Sequence, residues 1–342
     1  MSLKNLSVKI KIPKLLKDKL NNKKICKIYK KFEKSIKINE DFIVAVSGGP
    51  DSLALAFLAK IYSIKNRLSP KFIIIDHKLR QESTNETKIV KQALKRYSIY
   101  AEILTWKGKK PSKNIQSSAR NKRYELLFSK CGKYKINNIL LGHHEDDLFE
   151  NFFIRMLRGS GLRGLISLSK KNKINNVNLL RPLLDQKKED LIYLSKHVFD
   201  FYVKDPSNED DKYLRIKIRK LIDGLYKSGF DKQNFSKTIR NLKYSNSVVN
   251  FYVNENLKKN TYLFASKNKL VLNNEFFQQP YEIVFRALSD SLRAIGKKYY
   301  SVRGKKLDKI ISDIENNKLS RVTLGGCIIE KVNQTAIISK EH

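Results

Sequence analysis

The chain has 342 residues, a length that favours two or three domains over one. Hydrophobic residues make up 41% of it, with 17 Phe and 16 Tyr, and this content excludes a disordered tail. Lys and Arg number 70 against 33 Asp and Glu, giving a formal net charge of +37. Such a field attracts polyanions and favours a nucleic acid partner, although a genomic bias toward Lys, Asn and Ile explains part of the excess.

The cysteines and the apolar segments indicate the cellular environment. Cys26, Cys131 and Cys327 lie far apart and form no CxxC pair, so neither a zinc ribbon nor a disulfide framework is predicted. The longest apolar stretch, residues 53–59, is too short to cross a bilayer, and the basic N terminus lacks a signal-peptide hydrophobic segment. We therefore expect a cytoplasmic protein without a membrane partner. The oligomeric state stays open, with a homodimer as one alternative.

Residues 1–40 are rich in lysine and are predicted to form a basic arm, with an amphipathic helical pattern around 15–36. From residue 41 to 220, short apolar runs alternate with helical patterns. The predicted strands are 42–46, 72–75, 101–106 and 139–141, and the predicted helices are 52–65, 83–96, 114–129 and 145–157. Ser83 and Glu86 have the spacing of a capping box at the second of these helices. Apolar strands alternating with helices predict an α/β domain with a parallel sheet covered on both faces.

Residues 221–342 follow a different pattern and are predicted to form a smaller α+β domain. The predicted elements are helices at 221–260, 282–292 and 303–315, a hairpin at 262–272, and two strands within 319–339. No catalytic constellation of residues occurs in this part of the sequence. We therefore expect the second domain to bind the substrate or to serve in packing.

The segment Ser47–Ser52 reads S-G-G-P-D-S and connects the first predicted strand to a helix. Its two glycines allow a sharp turn that brings backbone N–H groups close to an anion, and the helix adds the positive end of its dipole. The hydroxyls of Ser47 and Ser52 suit hydrogen bonds to phosphate, while the Asp51 carboxylate suits Mg²⁺ or orientation of the loop. No GK[ST] follows, which disfavours kinase and GTPase chemistry. An ordinary glycine turn is the alternative, and the position between strand and helix favours a phosphate loop.

A second group of polar residues follows the fourth predicted strand. His143, Asp147 and Glu150 fall at i, i+4 and i+7, which places them on one face of a helix. Two carboxylates on one face suit recognition of an ammonium group, and a histidine with a pKa near neutrality suits proton transfer from an amine. A solvated acidic helix start and a metal site are the alternatives. No metal ligands are assigned from the sequence.

Two pairs of arginines stand at helical spacing. Arg120 and Arg123 are candidates for stabilising phosphate charge, with a solvated basic helix face as the alternative. Arg215 and Arg219 are spaced i, i+4 and suit either contact with an RNA backbone or a salt-bridged helix. The segment Asp205–Asn208 reads D-P-S-N and has the composition of a turn.

The loop S-G-G-x-D-S after a first strand resembles that of the N-type ATP pyrophosphatases, the PP-loop superfamily. That resemblance implies the adenine nucleotide alpha hydrolase-like fold, with a parallel five-stranded sheet and helices on both faces. It also implies cleavage of ATP between the α and β phosphates. The later segments, in their order along residues 42–219, look like the tRNA(Ile)-lysidine synthetase family. These segments are Asp76–Arg80, Asn114–Gln116, Ala119–Tyr124, Gly142–Asp147, Arg181–Leu184, Asp205–Asn208, Arg215 and Arg219.

The resemblance implies an ATP-dependent ligase, with ATP bound as MgATP. Its expected partners are L-lysine and tRNA(Ile) with a CAU anticodon, whose wobble cytidine is adenylated at C2 and then joined to lysine. The implied catalytic residues are Asp51, Arg120, His143, Asp147 and Glu150, and the implied nucleotide-binding residues are Ser47, Gly48, Gly49, Pro50, Asp51 and Ser52. The sequence departs from the family pattern at Leu148 and Phe149, which follow Asp147, and at Ile216.

Three other functions compete with this interpretation. A tRNA thiolase of the same superfamily typically uses a cysteine pair, and the scattered cysteines argue against it. An amidotransferase-linked ligase usually carries a glutaminase domain, for which the sequence offers no candidate. A non-catalytic RNA-binding relative would be expected to have lost Asp51 or a loop glycine, and both are present.

Overall fold

The computed structural model describes residues 12–108, 115–174, 176–203, 214–264, 269–297, 302 and 304–341. The chain divides into two compact units, Met1–Gly229 and Phe230–His342. The first unit alternates strands and helices. Its elements are α1 (Lys14–Leu20), α2 (Lys23–Ser35), β1 (Ile43–Val46), α3 (Pro50–Lys65), β2 (Lys71–Asp76), α4 (Ser83–Lys95), β3 (Ala101–Thr105), α5 (Ile115–Tyr134), β4 (Asn138–Leu140), α6 (Glu145–Met156), α7 (Leu162–Leu165), β5 (Lys171–Ile174), β6 (Val177–Leu180), α8 (Lys188–Phe199) and α9 (Leu214–Lys227).

The sheet of the first unit has the order β3-β2-β1-β4-β6-β5. Strands β1, β2, β3, β4 and β6 pair in parallel, which confirms the predicted five-stranded parallel sheet. β5 pairs antiparallel with β6 and adds a sixth strand at the edge. The chain runs outward from β1 to β3 and then returns to place β4 on the other side of β1. The direction of winding therefore reverses between β1 and β4.

Both faces of this sheet are covered by apolar side chains. Val44 and Val46 belong to a core with residues of α2, α3, α4 and α8, whereas Ile43 and Ile73 belong to a second core with residues of α5. Successive residues of one strand point to opposite faces, so a strand buried on both sides has to be apolar throughout. The run Phe42–Val46 meets that condition, and this explains why it was recognisable from the sequence.

The first two helices are part of the main core, although residues 1–40 read as a basic arm. Leu16 of α1 is 1% exposed, and Ile25 and Phe32 of α2 are 1% and 0% exposed. The Phe32 ring meets the ring of Tyr62 from α3 edge to face, with centroids 6.2 Å apart. The lysines of α1 and α2 lie outside the buried faces of these helices, so the high charge of the two helices does not prevent packing.

Two local features differ from the sequence-based expectations. Ser83 does not cap α4, because Glu82 is the N-cap residue and the Ser83 hydroxyl lies 2.9 Å from a carboxylate oxygen of Asp76. The compact unit extends to Gly229 instead of ending near residue 220, because α9 packs on α6. An ion pair between Arg219 and Glu150 joins these two helices.

The second unit combines helices with an antiparallel sheet. Its elements are α10 (Lys232–Asn260), β7 (Thr261–Phe264), β8 (Lys269–Leu272), α11 (Asn274–Phe277), α12 (Tyr281–Ile295), α13 (Gly304–Glu315), β9 (Arg321–Leu324), β10 (Cys327–Val332) and β11 (Thr335–Lys340). The sheet order is β7-β8-β11-β10-β9. This arrangement confirms the smaller α+β domain, and β7 with β8 forms the predicted hairpin. Three strands instead of two lie between residues 319 and 341.

Leu15 and Leu16 provide a matched test of the packing of α1. Leu16→Ala removes a buried side chain from the first core, so we expect the free energy of unfolding to fall by about 2–5 kcal/mol. Leu15 is 47% exposed, and Leu15→Ala should change this free energy by less than about 0.5 kcal/mol. The single tryptophan, Trp106, lies in the same unit, so its fluorescence during urea denaturation reports on that unit. Equal effects of the two substitutions would contradict the packing of α1 in the core.

Candidate functional site

The candidate site lies where the winding of the sheet reverses. β1 and β4 are neighbours, and the loops after them both leave from the carboxyl ends of parallel strands. In open α/β sheets, ligands bind in the crevice outside the strand ends at such a point. The S-G-G-P-D-S loop follows β1, and the segment Gly142–Asp147 follows β4. The topology therefore brings the two predicted groups of residues to one crevice.

The phosphate loop contains one glycine that no other residue can replace without strain. Gly48 has φ +89°, and a Cβ atom built on it would lie 2.6 Å from Val90 Cγ2 and 3.0 Å from Val203 Cγ2. The carbonyl oxygen of Gly48 also accepts a hydrogen bond from the Val203 N–H at 3.0 Å. The loop is thus packed against two other segments of the unit.

Ser52 organises the loop from inside. Its Oγ accepts hydrogen bonds from the backbone N–H groups of Ser47 and Gly48, at 3.0 and 3.1 Å, and donates to the Gly49 carbonyl at 2.9 Å. Ser52 is 6% exposed. The sequence assigned its hydroxyl to phosphate, but in this structure the hydroxyl holds the turn. The first-turn N–H groups of α3, which lack acceptors within the helix, are then the main donors offered to an anion.

Asp51 stands in the first turn of α3, directly after Pro50 at the first helical position. Its Oδ1 is buried and has no hydrogen-bond partner among the described residues. Burial raises the pKa of Asp51, His144 opposes this shift, and Asp147 reinforces it. Buried polar atoms are normally hydrogen-bonded, so an unpartnered carboxylate oxygen is a candidate for contact with a ligand or an ion.

His144 begins α6 as its N-cap residue. Its Nδ1 accepts a hydrogen bond from the backbone N–H of Asp146 at 3.2 Å, and the backbone N–H of His144 donates to Asp147 Oδ2 at 3.0 Å. His144 Nε2 lies 3.7 Å from Asp147 Oδ2 and 3.7 Å from Asp51 Oδ2. The sequence singled out His143 and gave His144 no role. The acidic run after it, Glu145–Asp147, is a helix start that marks position 144 as the cap.

His143 is partly buried, and its Nδ1 atom is buried and has no hydrogen-bond partner among the described residues. Burial lowers the pKa of His143 to about 3, Asp147 opposes the shift, and the charges of Arg181, Arg120 and Arg215 support it. The imidazole is therefore neutral at pH 7, in contrast to the near-neutral pKa assumed from the sequence.

Asp147 is the charged member of this group. Burial alone would raise the pKa of Asp147, but the interactions of its carboxylate with His144, including the His144 backbone N–H, outweigh burial and lower the pKa. The carboxylate is therefore ionised at pH 7. An anionic oxygen beside a neutral imidazole suits the binding of a cationic amine.

Glu150 differs from Asp147 because it already has a cationic partner. It is 2% exposed, and its Oε1 accepts from Arg219 Nε at 2.5 Å. Arg215 Nε lies 3.8 Å from Glu150 Oε2. Of the two roles open to this arginine pair, the ion pair with α6 is the one seen. An ammonium group that reaches Glu150 has to displace an arginine.

Two further arginines, Arg120 and Arg181, lie close enough to His143 for their charges to act on it. Arg120 is exposed on α5, with its guanidinium 5.4 Å from the centre of the Tyr124 ring. Arg181 is 4% exposed, and its Nη1 donates to Ser169 O and Asn172 Oδ1 at 2.9 and 2.8 Å. Its buried Nε has no hydrogen-bond partner in the part of the chain that is described. The segment Asp205–Asn208 lies outside the described residues.

The donor set at the crevice fits Mg²⁺ bound together with a nucleotide. Asp51 supplies a buried carboxylate oxygen with no partner, and Mg²⁺ is commonly held by one or two carboxylates, substrate phosphates and water. Among the described residues, no three His, Cys, Asp or Glu side chains gather into a metal-binding group.

Comparisons with known proteins bear on the same residues. Residues 18–225 match the PP-loop domain family. In the described part of the chain, no helix is both long and apolar enough to span a membrane. Among solved structures, the fold of part of this chain resembles that of the U34-tRNA thiolase NcsA from Methanococcus maripaludis with its [4Fe-4S] cluster. The TM-score is 0.56 at 17% identity, covering 65% of this chain and 78% of that one, a likeness of fold alone.

Curated relatives extend the match over most of the chain. The tRNA(Ile)-lysidine synthase of Orientia tsutsugamushi is 35% identical over 316 residues, covering 89% of this chain and 70% of that protein. The tRNA(Ile)-lysidine synthase of Wolbachia sp. subsp. Brugia malayi is 31% identical over 310 residues, covering 89% of this chain and 71% of that protein. These matches show that the chain belongs to the PP-loop family and, within it, to the tRNA(Ile)-lysidine synthases.

Proposed function

We propose that the residues at the β1–β4 crevice carry out both steps of lysidine formation on a CAU-anticodon tRNA(Ile). In the first step, the C2 oxygen of the wobble cytidine bonds to the α-phosphorus of ATP, and pyrophosphate leaves. In the second, the amine of lysine bonds to C2, AMP leaves with the oxygen, and the amine loses a proton. The observation that carries the proposal is the 3.7 Å approach of His144 to both Asp51 and Asp147, which unites the phosphate loop with the acidic helix.

The loop side of the crevice suits the adenylation step. The N-terminal turn of α3 offers N–H groups and a positive dipole end to the phosphates, and Asp51 would hold Mg²⁺, which would neutralise phosphate charge there. Arg181 and Arg120 add positive charge near His143, as their effect on its pKa indicates. Fixed positive groups stabilise the negative charge that develops on the transferred phosphoryl group.

The α6 side suits the lysine-transfer step. The ionised carboxylate of Asp147 attracts the ammonium group of lysine, and the unprotonated Nδ1 of His143 is available to accept a proton from the attacking amine. A histidine with so low a pKa is a weak base in free solution, so it accepts a proton well only from a strongly acidic donor. An amine that has just bonded to an electron-poor carbon is such a donor.

The tRNA is the expected partner of the strongly basic surface. A net charge of +37 favours contacts with phosphate groups. We expect the reaction to take place in the cytoplasm, where tRNA and ATP are present. None of the three cysteines, all of which lie in the described residues, is in a disulfide, and two of them, Cys131 and Cys327, are buried, which argues against the cluster chemistry of a thiolase.

A lysine-incorporation assay tests the proposal directly. The wild-type chain should release pyrophosphate and attach radiolabelled lysine to CAU-anticodon tRNA(Ile), and Asp51→Ala should lower both rates by at least about 100-fold. Asp18→Ala, which removes an exposed carboxylate from α1, is the matched control and should retain activity. Pyrophosphate release without lysine incorporation would retain the adenylation step and contradict the assignment of lysine as nucleophile.

Gly48→Ala tests the geometry of the phosphate loop. The added methyl group would meet Val90 at 2.6 Å on a backbone with positive φ, so the loop has to shift. We expect pyrophosphate release to fall by about 100-fold, the effect of a misplacement of about 1 Å. Gly132→Ala on α5 is the control, because a Cβ there meets nothing within 4 Å. Full activity of Gly48→Ala would show that the strain is relieved without moving the loop.

The low pKa of His143 predicts how the effect of removing this side chain on kcat/KM depends on pH. Because burial lowers this pKa from 6.5 to about 3, the imidazole is neutral throughout pH 5.5–8. His143→Asn should therefore lower kcat/KM for lysine by a factor that stays constant over this range. The measurement compares the pH profiles of the two proteins, with the pH dependence of the lysine amine common to both. A ratio that changes through a midpoint near 6.5 would indicate an ordinary, solvated histidine.

A further inference from the structure

His144 has a fixed orientation at the start of α6. The side chain is 4% exposed, and its Nδ1 accepts the Asp146 N–H. Because the lone pair of Nδ1 is engaged, the ring proton resides on Nε2. His144 therefore presents an N–H group, instead of a basic nitrogen, to the interior of the crevice.

The Nε2 atom faces two carboxylates from different segments of the chain. Its distance is 3.7 Å both to Asp51 Oδ2, on the phosphate-loop side, and to Asp147 Oδ2, on the α6 side. Like charges repel, and an N–H group that faces both carboxylates offsets this repulsion. In the described part of the crevice, His144 is the side chain that contacts both.

The backbones on the two sides are also in contact. A Cβ atom at Gly142 would lie 3.3 Å from the backbone of Asp51 and from Ser52 Cα. This close approach is independent of the histidine, and it means that the loop after β4 and the start of α3 have little space in which to move. Because the two backbones are already held close together, the contacts of His144 Nε2 with the two carboxylates are enough to set their relative position.

We propose that His144 is a positioning residue that fixes the carboxylate of Asp51 relative to that of Asp147, and so keeps the ATP-binding loop aligned with the amine-binding helix. The proposal rests on the proposed function, since alignment matters only if the two sides act in one reaction. The simpler role is that of a helix cap, because the Nδ1 contact alone would stabilise α6.

Two substitutions separate these roles. Asn places a side-chain oxygen close to the position of Nδ1, and Asn is a preferred N-cap residue, so His144→Asn retains the cap and loses the Nε2–H group. Gln extends an amide N–H toward the position of Nε2 but is a poor cap, so His144→Gln retains the contact with the carboxylates and weakens the cap. The pair forms a matched set at one position.

The experiment measures lysine incorporation and thermal unfolding for the full chain and both variants. For His144→Asn, we expect an unfolding midpoint within about 2 °C of the wild type, with kcat/KM for lysine lower by about 100-fold. For His144→Gln, we expect a lower midpoint by several degrees, but a kcat/KM within about 10-fold of the wild type. Partial rescue by Gln is a result that a cap alone does not give.

The opposite ranking of the variants would overturn the proposal. If His144→Asn retains wild-type kcat/KM, or if His144→Gln is the less active variant, His144 acts only as a cap. A wild-type chain that forms no lysidine would instead contradict the proposed function, and with it the alignment that depends on it. The two failures are therefore distinguished by the wild-type reaction.

Discussion

Gly142 brings the end of β4 so near to the start of α3 that a Cβ atom there would lie 3.3 Å from backbone atoms. This contact is possible because β1 and β4 are neighbours and both end at the same edge of the sheet. The phosphate loop and the acidic helix then occupy one crevice by topology, before any side chain contributes. His144, Asp51 and Asp147 complete the contact with their side chains.

The crevice combines groups whose charges have been set by their neighbours. Burial and three arginines keep His143 neutral, whereas His144 and its backbone N–H keep Asp147 ionised. Glu150 is already balanced by Arg219, so the negative charge that α6 offers to a ligand is that of Asp147. A cationic substrate and the phosphates of ATP thus find regions of opposite sign within one site.

Those parts of the structure that depend on local pattern could be predicted from the sequence. The apolar run Phe42–Val46 and the glycines after it identified a strand and a phosphate loop, because both are local requirements. Side-chain partners were not predictable in this way. Ser52 turned inward to hold the loop, and Glu150 found Arg219 sixty-nine positions away, a contact made only when α9 folds onto α6. The high lysine content of residues 14–35 similarly favoured a basic arm, whereas one face of each helix is buried in the core. Which residues are buried there depends on the pattern of apolar side chains and not on the total charge.

The internal hydrogen bonds of Ser52 have a consequence for the energetics of nucleotide binding. A glycine-rich loop that is free in solution loses conformational entropy when a ligand orders it, and that loss weakens affinity. Here the Ser52 hydroxyl is hydrogen-bonded to two N–H groups and one carbonyl group of the loop. The backbone N–H of Val203, which lies outside the loop, donates to the Gly48 carbonyl. The loop is therefore ordered in advance, and ATP meets a rigid receptor whose affinity depends on contacts and not on refolding.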